Sequence, residues 1–69
     1  MAEYALIFDI PRKEAVLRVR INRALKLAGA KLIQNSLWKS ESLEEMKGIA
    51  KFIRDHGGDA HLIEWKKVF

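Results

Sequence analysis

The sequence predicts an α+β domain with the element order β-α-β-β-α-β, and three observations support this order. The segment EYALIFDI has the alternation and the residue types of a β-strand and is followed by a proline. Two later segments repeat apolar residues every three or four positions, which indicates two amphipathic helices. The final segment, DAHLIEWKKVF, follows two glycines and carries the apolar and aromatic residues of a strand.

The size of the chain predicts a single domain over residues 1–69. A core this small rarely supplies more than about 3–5 kcal/mol, so such domains need additional stabilisation. The chain has no cysteine, which excludes disulfides and thiolate metal sites. Tight packing and association remain, and we expect a homodimer. No segment approaches the ~18 apolar residues of a membrane span, and we expect a cytoplasmic protein without a membrane partner.

The first strand places a carboxylate, Asp9, where the chain leaves the sheet. Alternate residues form its two faces: Tyr4, Leu6, Phe8 and Ile10 on one, and Ala5, Ile7 and Asp9 on the other. Both faces are mostly apolar, so we expect this strand to be central in the sheet.

The first helix is predicted over residues 12–29, RKEAVLRVRINRALKLAG. Pro11 suits a first helical turn, where its missing N–H costs nothing. Gly29 is expected to end the helix as a left-handed cap. The apolar stripe that faces the core consists of Leu17, Ile21, Ala24, Leu25 and Ala28.

The segment after this helix, AKLIQNSLWKS, has two interpretations. Its composition is typical of a strand, but Asn35 and Ser36 in the middle favour a turn. Residues 31–39 therefore form either one bent strand or two short ones, and the sequence does not decide between them.

The second helix has the clearest start in the chain. The sequence SLEE is a capping box, with Ser42 as the N-cap and Glu45 at the third helical position. Gly57 and Gly58 are expected to end the helix. Its buried stripe is predicted to consist of Leu43, Met46, Ile49, Ala50 and Ile53.

With two strands in the middle segment, the order is that of a ferredoxin-like fold, an antiparallel sheet with both helices on one face. The other face of the sheet would then be uncovered, with Ala5 and Ile7 next to Asp9. An apolar sheet face in so small a protein needs a partner, and we expect a second copy to cover it.

Positive charge is concentrated in the first half of the chain. The net charge is +4, and residues 1–39 carry eight Lys/Arg against three acidic residues. Arg12, Arg23 and Lys26 are predicted to share one face of the first helix, over about 21 Å at 1.5 Å per residue. Such a stripe can follow several phosphates of RNA or DNA, although an ordinary solvated face has the same composition. Arg20 is expected to pair with an acid.

Two motifs resemble the small CRISPR-associated nucleases of the Cas-two family. Members begin with an apolar strand that ends in an aromatic residue, aspartate and an aliphatic residue, as Phe8, Asp9 and Ile10 do. Their second strand region carries an aliphatic residue, glutamine, any residue, serine, an aliphatic residue and an aromatic residue. The matching positions here are Ile33, Gln34, Asn35, Ser36, Leu37 and Trp38.

The resemblance implies a ferredoxin-like homodimer with Asp9 beside its copy near the dimer axis. In members with reported nuclease activity, this pair of aspartates is thought to hold a divalent cation. Other members bridge the subunits of an integrase during CRISPR spacer acquisition, a step in antiviral defence. Related folds occur in VapD-type ribonucleases and in part of PaaX-like regulators.

Asp9 is therefore the candidate catalytic and metal-binding residue. Two carboxylates brought together repel each other unless a cation lies between them, and Mg²⁺ accepts one or two carboxylates while it keeps its other waters. Asp9 could instead cap the helix or pair with Arg12. Asp55 and Asp59 flank the glycine turn, and no pattern in the sequence brings them to Asp9.

Two functions follow from these features. One is a Mg²⁺-dependent endonuclease of RNA or DNA, or a bridging subunit derived from one. The alternative is a non-catalytic dimeric module that binds nucleic acid or regulates. His56 and His61 have no metal-ligand spacing, and no second catalytic group can be placed beside either of them. Trp38 and Trp65 are expected to be core or dimer contacts.

Overall fold

Four strands and two helices follow one another in the predicted order. The structure is a computed structural model that describes residues 2–34 and 36–66. The elements are β1 (Glu3–Asp9), α1 (Ala15–Leu27), β2 (Lys31–Gln34), β3 (Leu37–Ser40), α2 (Leu43–Asp55) and β4 (Asp59–Trp65). The strands form one antiparallel sheet in the order β2-β3-β1-β4, with β1 in the interior as expected. This is a ferredoxin-like fold.

The middle segment forms two strands, which decides between the two interpretations of residues 31–39. The strands β2 and β3 pair as an antiparallel hairpin, and a bulge shifts their register between Leu32 and Gln34. Ser36 lies in the turn that joins them, and Asn35 lies outside the described residues. The predicted final strand is confirmed as far as Trp65, and its last predicted positions, residues 67–69, also lie outside the described residues.

One hydrophobic core lies between the sheet and the two helices. In β1, Leu6 and Phe8 face the helices, as their alternation predicts, and both are buried. The helices contribute the predicted stripes except for Leu43, which is only partly buried and lies outside the core, and Trp38 is buried in the same core. The buried members of the core are Leu6, Phe8, Ile10, Leu17, Ile21, Leu25, Trp38, Met46, Ile49, Ala50, Ile53 and Ala60.

The other side of the sheet is not covered by the helices, and we call it the open sheet face. It consists of alternate residues of β1, β3 and β4: Glu3, Ala5, Ile7, Asp9, Leu37, Lys39, Asp59, His61, Ile63 and Trp65. Ile7 is 43% exposed and Ile63 is 47% exposed, so apolar surface in the middle of this face is in contact with water. A shallow depression of about 360 Å³, lined by Ile7, Gln34, Ser36 and Leu37, adds to this surface.

The first helix begins later than the sequence predicts. The backbone N–H of Glu14 donates to the carbonyl of Pro11 at 3.0 Å, which closes a turn over residues 11–14. Helical hydrogen bonding starts only when the N–H of Arg18 donates to Glu14. Arg12 therefore lies in a turn before α1, and the prediction that it belongs to the helix is wrong.

Both helices end in the way their glycines predict. Gly29 and Gly57 have positive φ angles of 74° and 86°, which residues with a Cβ rarely adopt. After α1, the N–H of Ala30 donates to Leu25, and after α2 the N–H of Gly58 donates to Ile53, both at 2.9 Å. These six-residue closures are Schellman motifs. The start of α2 is also confirmed, because the Ser42 hydroxyl accepts from the N–H of Glu45 at 3.4 Å.

Gly58 fits tightly between α2 and the end of β1. A Cβ at this position would lie 2.7 Å from Ile53 Cγ2, 2.8 Å from Ile10 Cγ2 and 3.0 Å from the carbonyl oxygen of Asp9. The first two distances are shorter than real contacts, and the third atom belongs to the backbone. The glycine therefore allows the turn before β4 to pack closely on Asp9.

We expect Gly58→Ala to destabilise the protein by about 1–3 kcal/mol, as overpacking of a filled core does. The matched control is Gly48→Ala in α2, where an added Cβ meets nothing within 4 Å. Alanine in a helix interior is more favourable than glycine by about 0.5–1 kcal/mol, so this variant should be more stable. Urea unfolding of both variants measures the difference. Equal stability of the two would show that the turn before β4 can move away from Asp9.

Candidate functional site

Asp9 is the last residue of β1 and lies on the open sheet face. Its carboxylate is exposed, and it shares its side of the strand with Ala5 and Ile7, as predicted. The N-cap of α1 is Glu14, so the interpretation of Asp9 as the helix cap is wrong. Among the described residues, the salt bridges do not include a pair between Asp9 and Arg12.

A second carboxylate, Asp59, lies directly opposite Asp9. The strands β1 and β4 pair without interruption over seven positions, and the last pair is Asp9 with Asp59. Side chains that are directly opposed in an antiparallel pair point to the same face, with Cβ atoms about 4.5–5.5 Å apart. No pattern in the sequence predicts that Asp59 lies opposite Asp9, because the pairing joins residues that are distant in the chain.

His61 extends this pair along the same face of β4. Its Nε2 lies 3.4 Å from Asp59 Oδ2, and its register partner on β1 is Ile7. A carboxylate therefore lies beside His61, which the sequence did not predict. A neutral imidazole that donates from Nε2 to Asp59 leaves Nδ1 as a proton acceptor. The two side chains remain largely exposed, so this contact contributes little to stability.

The oxygen atoms of Asp9 and Asp59 are ligands that suit Mg²⁺, but two side chains are few for a metal site. Mg²⁺ is held by oxygen ligands, often one or two carboxylates with several waters, and Asp9 and Asp59 supply two carboxylates on one face. Across residues 2–34 and 36–66, however, no group of three or more His, Cys, Asp or Glu residues could hold a metal ion. A cation would therefore keep most of its waters or take further ligands from a second copy.

The predicted basic stripe does not form one continuous surface. Arg23 and Lys26 are exposed on α1, one turn apart, while Arg12 lies in the turn near Asp9. The end of α1 lies beside the end of β3, because Ser40 Oγ donates to the carbonyl of Ala28 at 3.3 Å. Ser40 is the register partner of Tyr4, near the start of β1. Arg23 and Lys26 are therefore directed toward the opposite end of the domain from Asp9.

The other aromatic and basic residues have structural contacts. The guanidinium carbon of Arg20 lies 5.4 Å from the centroid of the Phe52 ring. The partner of Arg20 is therefore an aromatic ring, and the prediction that it pairs with an acidic residue is wrong. His56 caps the end of α2, and its Nδ1 lies 2.8 Å from the carbonyl oxygen of Phe52. Trp65 is half-buried on the open sheet face, with Lys39 Nζ 5.7 Å from its ring.

Comparison with known proteins adds no relative to this picture. No family model matches the chain, and no curated protein matches it. In the described part of the chain, neither helix has the length and apolar character needed to cross a membrane.

Proposed function

We propose that this protein is a nucleic-acid-associated homodimer of the Cas-two-like type, which cleaves phosphodiester bonds with a divalent cation at Asp9. The observation that carries the proposal is the position of Asp9 and Asp59, opposed at one end of an uncovered apolar sheet face. The motif resemblance supports the same assignment, because it implies an aspartate at the end of the first strand and a dimer formed over the sheet.

The dimer is part of this proposal because the open sheet face needs cover. Ile7 and Ile63 occupy neighbouring strands in the middle of the face and are both nearly half exposed. A second copy related by a two-fold axis would present the same surface and remove these side chains from water. Depending on where the axis passes, it would also bring two further carboxylates toward Asp9 and Asp59.

Each side chain at this end of the face has a chemical role in the proposal. Asp9 and Asp59 provide the oxygen ligands, and repulsion between these carboxylates falls when a cation lies between them. A bound divalent cation supplies charge stabilisation at a phosphoryl oxygen and makes a water easier to deprotonate. His61 lies beside Asp59 and would accept a proton from the attacking water at Nδ1.

A second candidate is a dimeric module that binds nucleic acid without cleaving it. The net charge of +4 and the pI of about 9.7 favour binding to a polyanion and require no catalytic group. The bridging role between integrase subunits, which the resemblance implies, belongs to this candidate, because Asp9 need not act there. If the wild type binds nucleic acid and does not cleave it, the result favours this second candidate over the nuclease.

We expect sedimentation at micromolar concentration to give about twice the chain mass of 8.0 kDa. Ile63→Lys should shift the protein to the monomer, because it places a charge in the middle of the covered surface. The matched control is Val19→Lys, since Val19 is 55% exposed on α1 and lies on the other side of the molecule. A monomeric wild type, or dissociation by both variants alike, would contradict an interface on the open sheet face.

We expect the wild type to cleave single-stranded RNA or DNA when Mg²⁺ or Mn²⁺ is present. Asp9→Asn and Asp59→Asn keep the side-chain shape and remove a charged ligand, so each should abolish metal-dependent cleavage. His61→Ala should lower the rate by about 10²–10⁴-fold, as loss of a general base does. Glu41→Gln is the matched control, because Glu41 is an exposed carboxylate that follows the end of β3 and lies outside the open sheet face. If the Asp9 variant cleaves as fast as the wild type, Asp9 is structural and the binding module remains.

A further inference from the structure

A basic pocket lies between α2 and β4, away from the open sheet face. It has a volume of about 370 Å³, large enough for a phosphate group with part of a sugar. Its lining combines three cationic side chains, one carboxylate and two small apolar surfaces: Lys47, Lys51, Arg54, Asp55, Ala50 and Leu62. The second half of the chain has no excess of positive charge, so the sequence did not point to this surface.

The three cations come together because of their spacing on α2. Lys47, Lys51 and Arg54 are separated by four and three residues, which places them on one face of the helix. All three are exposed, while Ala50 between them is buried against the sheet. Three cations against one carboxylate leave the pocket positively charged.

Arg54 is fixed in place by the edge strand. Its Nε donates to the carbonyl oxygen of Ala60 at 3.0 Å, and its Nη2 donates to the same oxygen. A guanidinium has five N–H donors in a planar arrangement, so three donors remain for a ligand. Because the side chain is already held, little conformational entropy is lost when it binds an anion.

Lys51 is held only weakly. Its ammonium lies 3.2 Å from Asp55 Oδ2, and both side chains are more than half exposed. An exposed pair of this kind contributes little to stability, so a phosphate can compete with Asp55 for Lys51. The carbonyl end of α2 is unfavourable to anions within the last turn, which contains Arg54, while Lys47 and Lys51 lie before that turn and supply two of the three positive charges of the pocket.

We propose that this pocket binds a backbone phosphate of the nucleic acid, an inference that rests on the function proposed above. Arg54 holds the carbonyl of Ala60, and Ala60 directly follows Asp59 in β4. A strand of nucleic acid that passes around the edge of β4 therefore has one phosphate at Arg54 and a neighbouring phosphodiester on the side of Asp59. The pocket supplies affinity and register, and the carboxylate pair supplies the chemistry.

The test compares two double variants that lose the same charge. Lys47→Gln with Lys51→Gln alters the pocket, and Arg23→Gln with Lys26→Gln alters the exposed surface of α1. Binding of a fluorescent single-stranded oligonucleotide is measured by anisotropy over a range of salt concentrations. The pocket variant should bind on the order of tenfold more weakly, and its log–log salt slope should fall by about 0.7 for the loss of one phosphate contact. The α1 variant should bind nearly as the wild type does.

Asp55→Asn should have the opposite effect, because it releases Lys51 and removes a negative charge from the pocket. Inorganic phosphate, added to the isotope-labelled wild type, should shift the amide signals of Lys47, Lys51 and Arg54 in NMR spectra. Equal loss of binding by both double variants would show a general effect of net charge and would overturn the pocket. The proposal would also be overturned if the pocket variant bound the oligonucleotide as tightly as the wild type does.

Failure of the proposed function has a different signature. If the wild type binds no oligonucleotide but phosphate still shifts the pocket signals, the anion site exists and its assignment to nucleic acid is wrong. If the oligonucleotide is bound through the pocket and never cleaved with any divalent metal, the pocket is supported and the nuclease proposal fails.

Discussion

The pairing of β1 with β4 determines where most of the candidate functional residues of this small domain lie. Seven consecutive residue pairs, from Glu3 with Trp65 to Asp9 with Asp59, join the interior strand to the last strand. This register assigns each residue of β4 to the core or to the open sheet face, and a shift by one position would exchange the two sets. It also places the carbonyl of Ala60 where Arg54 can reach it from α2.

Local signals in the sequence were sufficient for the order of the elements and for most of their ends. The left-handed glycines at 29 and 57 and the cap at Ser42 lie where their residue types predict, because each depends on a few neighbouring backbone groups. The predicted start of α1 was wrong because a proline suits the first turn of a helix and an ordinary turn equally well. The hairpin in residues 31–39 was undecided for a similar reason.

The candidate site was only half predictable, since it depends on contacts between distant segments. Asp9 was found from its position at the end of an apolar strand. Asp59 follows a glycine turn some fifty residues later in the chain, and only the strand register brings the two carboxylates together. Arg20 shows the same limit, because its ring partner Phe52 comes from the second helix.

The edges of the sheet have a consequence for how copies of the chain associate. Exposed edge strands offer unpaired backbone groups, and they allow chains to add to one another without limit, as in amyloid fibres. Here β2 is four residues long and bulged, and Lys31 stands opposite Lys39 at its start. On the other edge strand, β4, the guanidinium of Arg54 donates to the carbonyl oxygen of Ala60. Each of these features makes the addition of another chain along its edge less favourable.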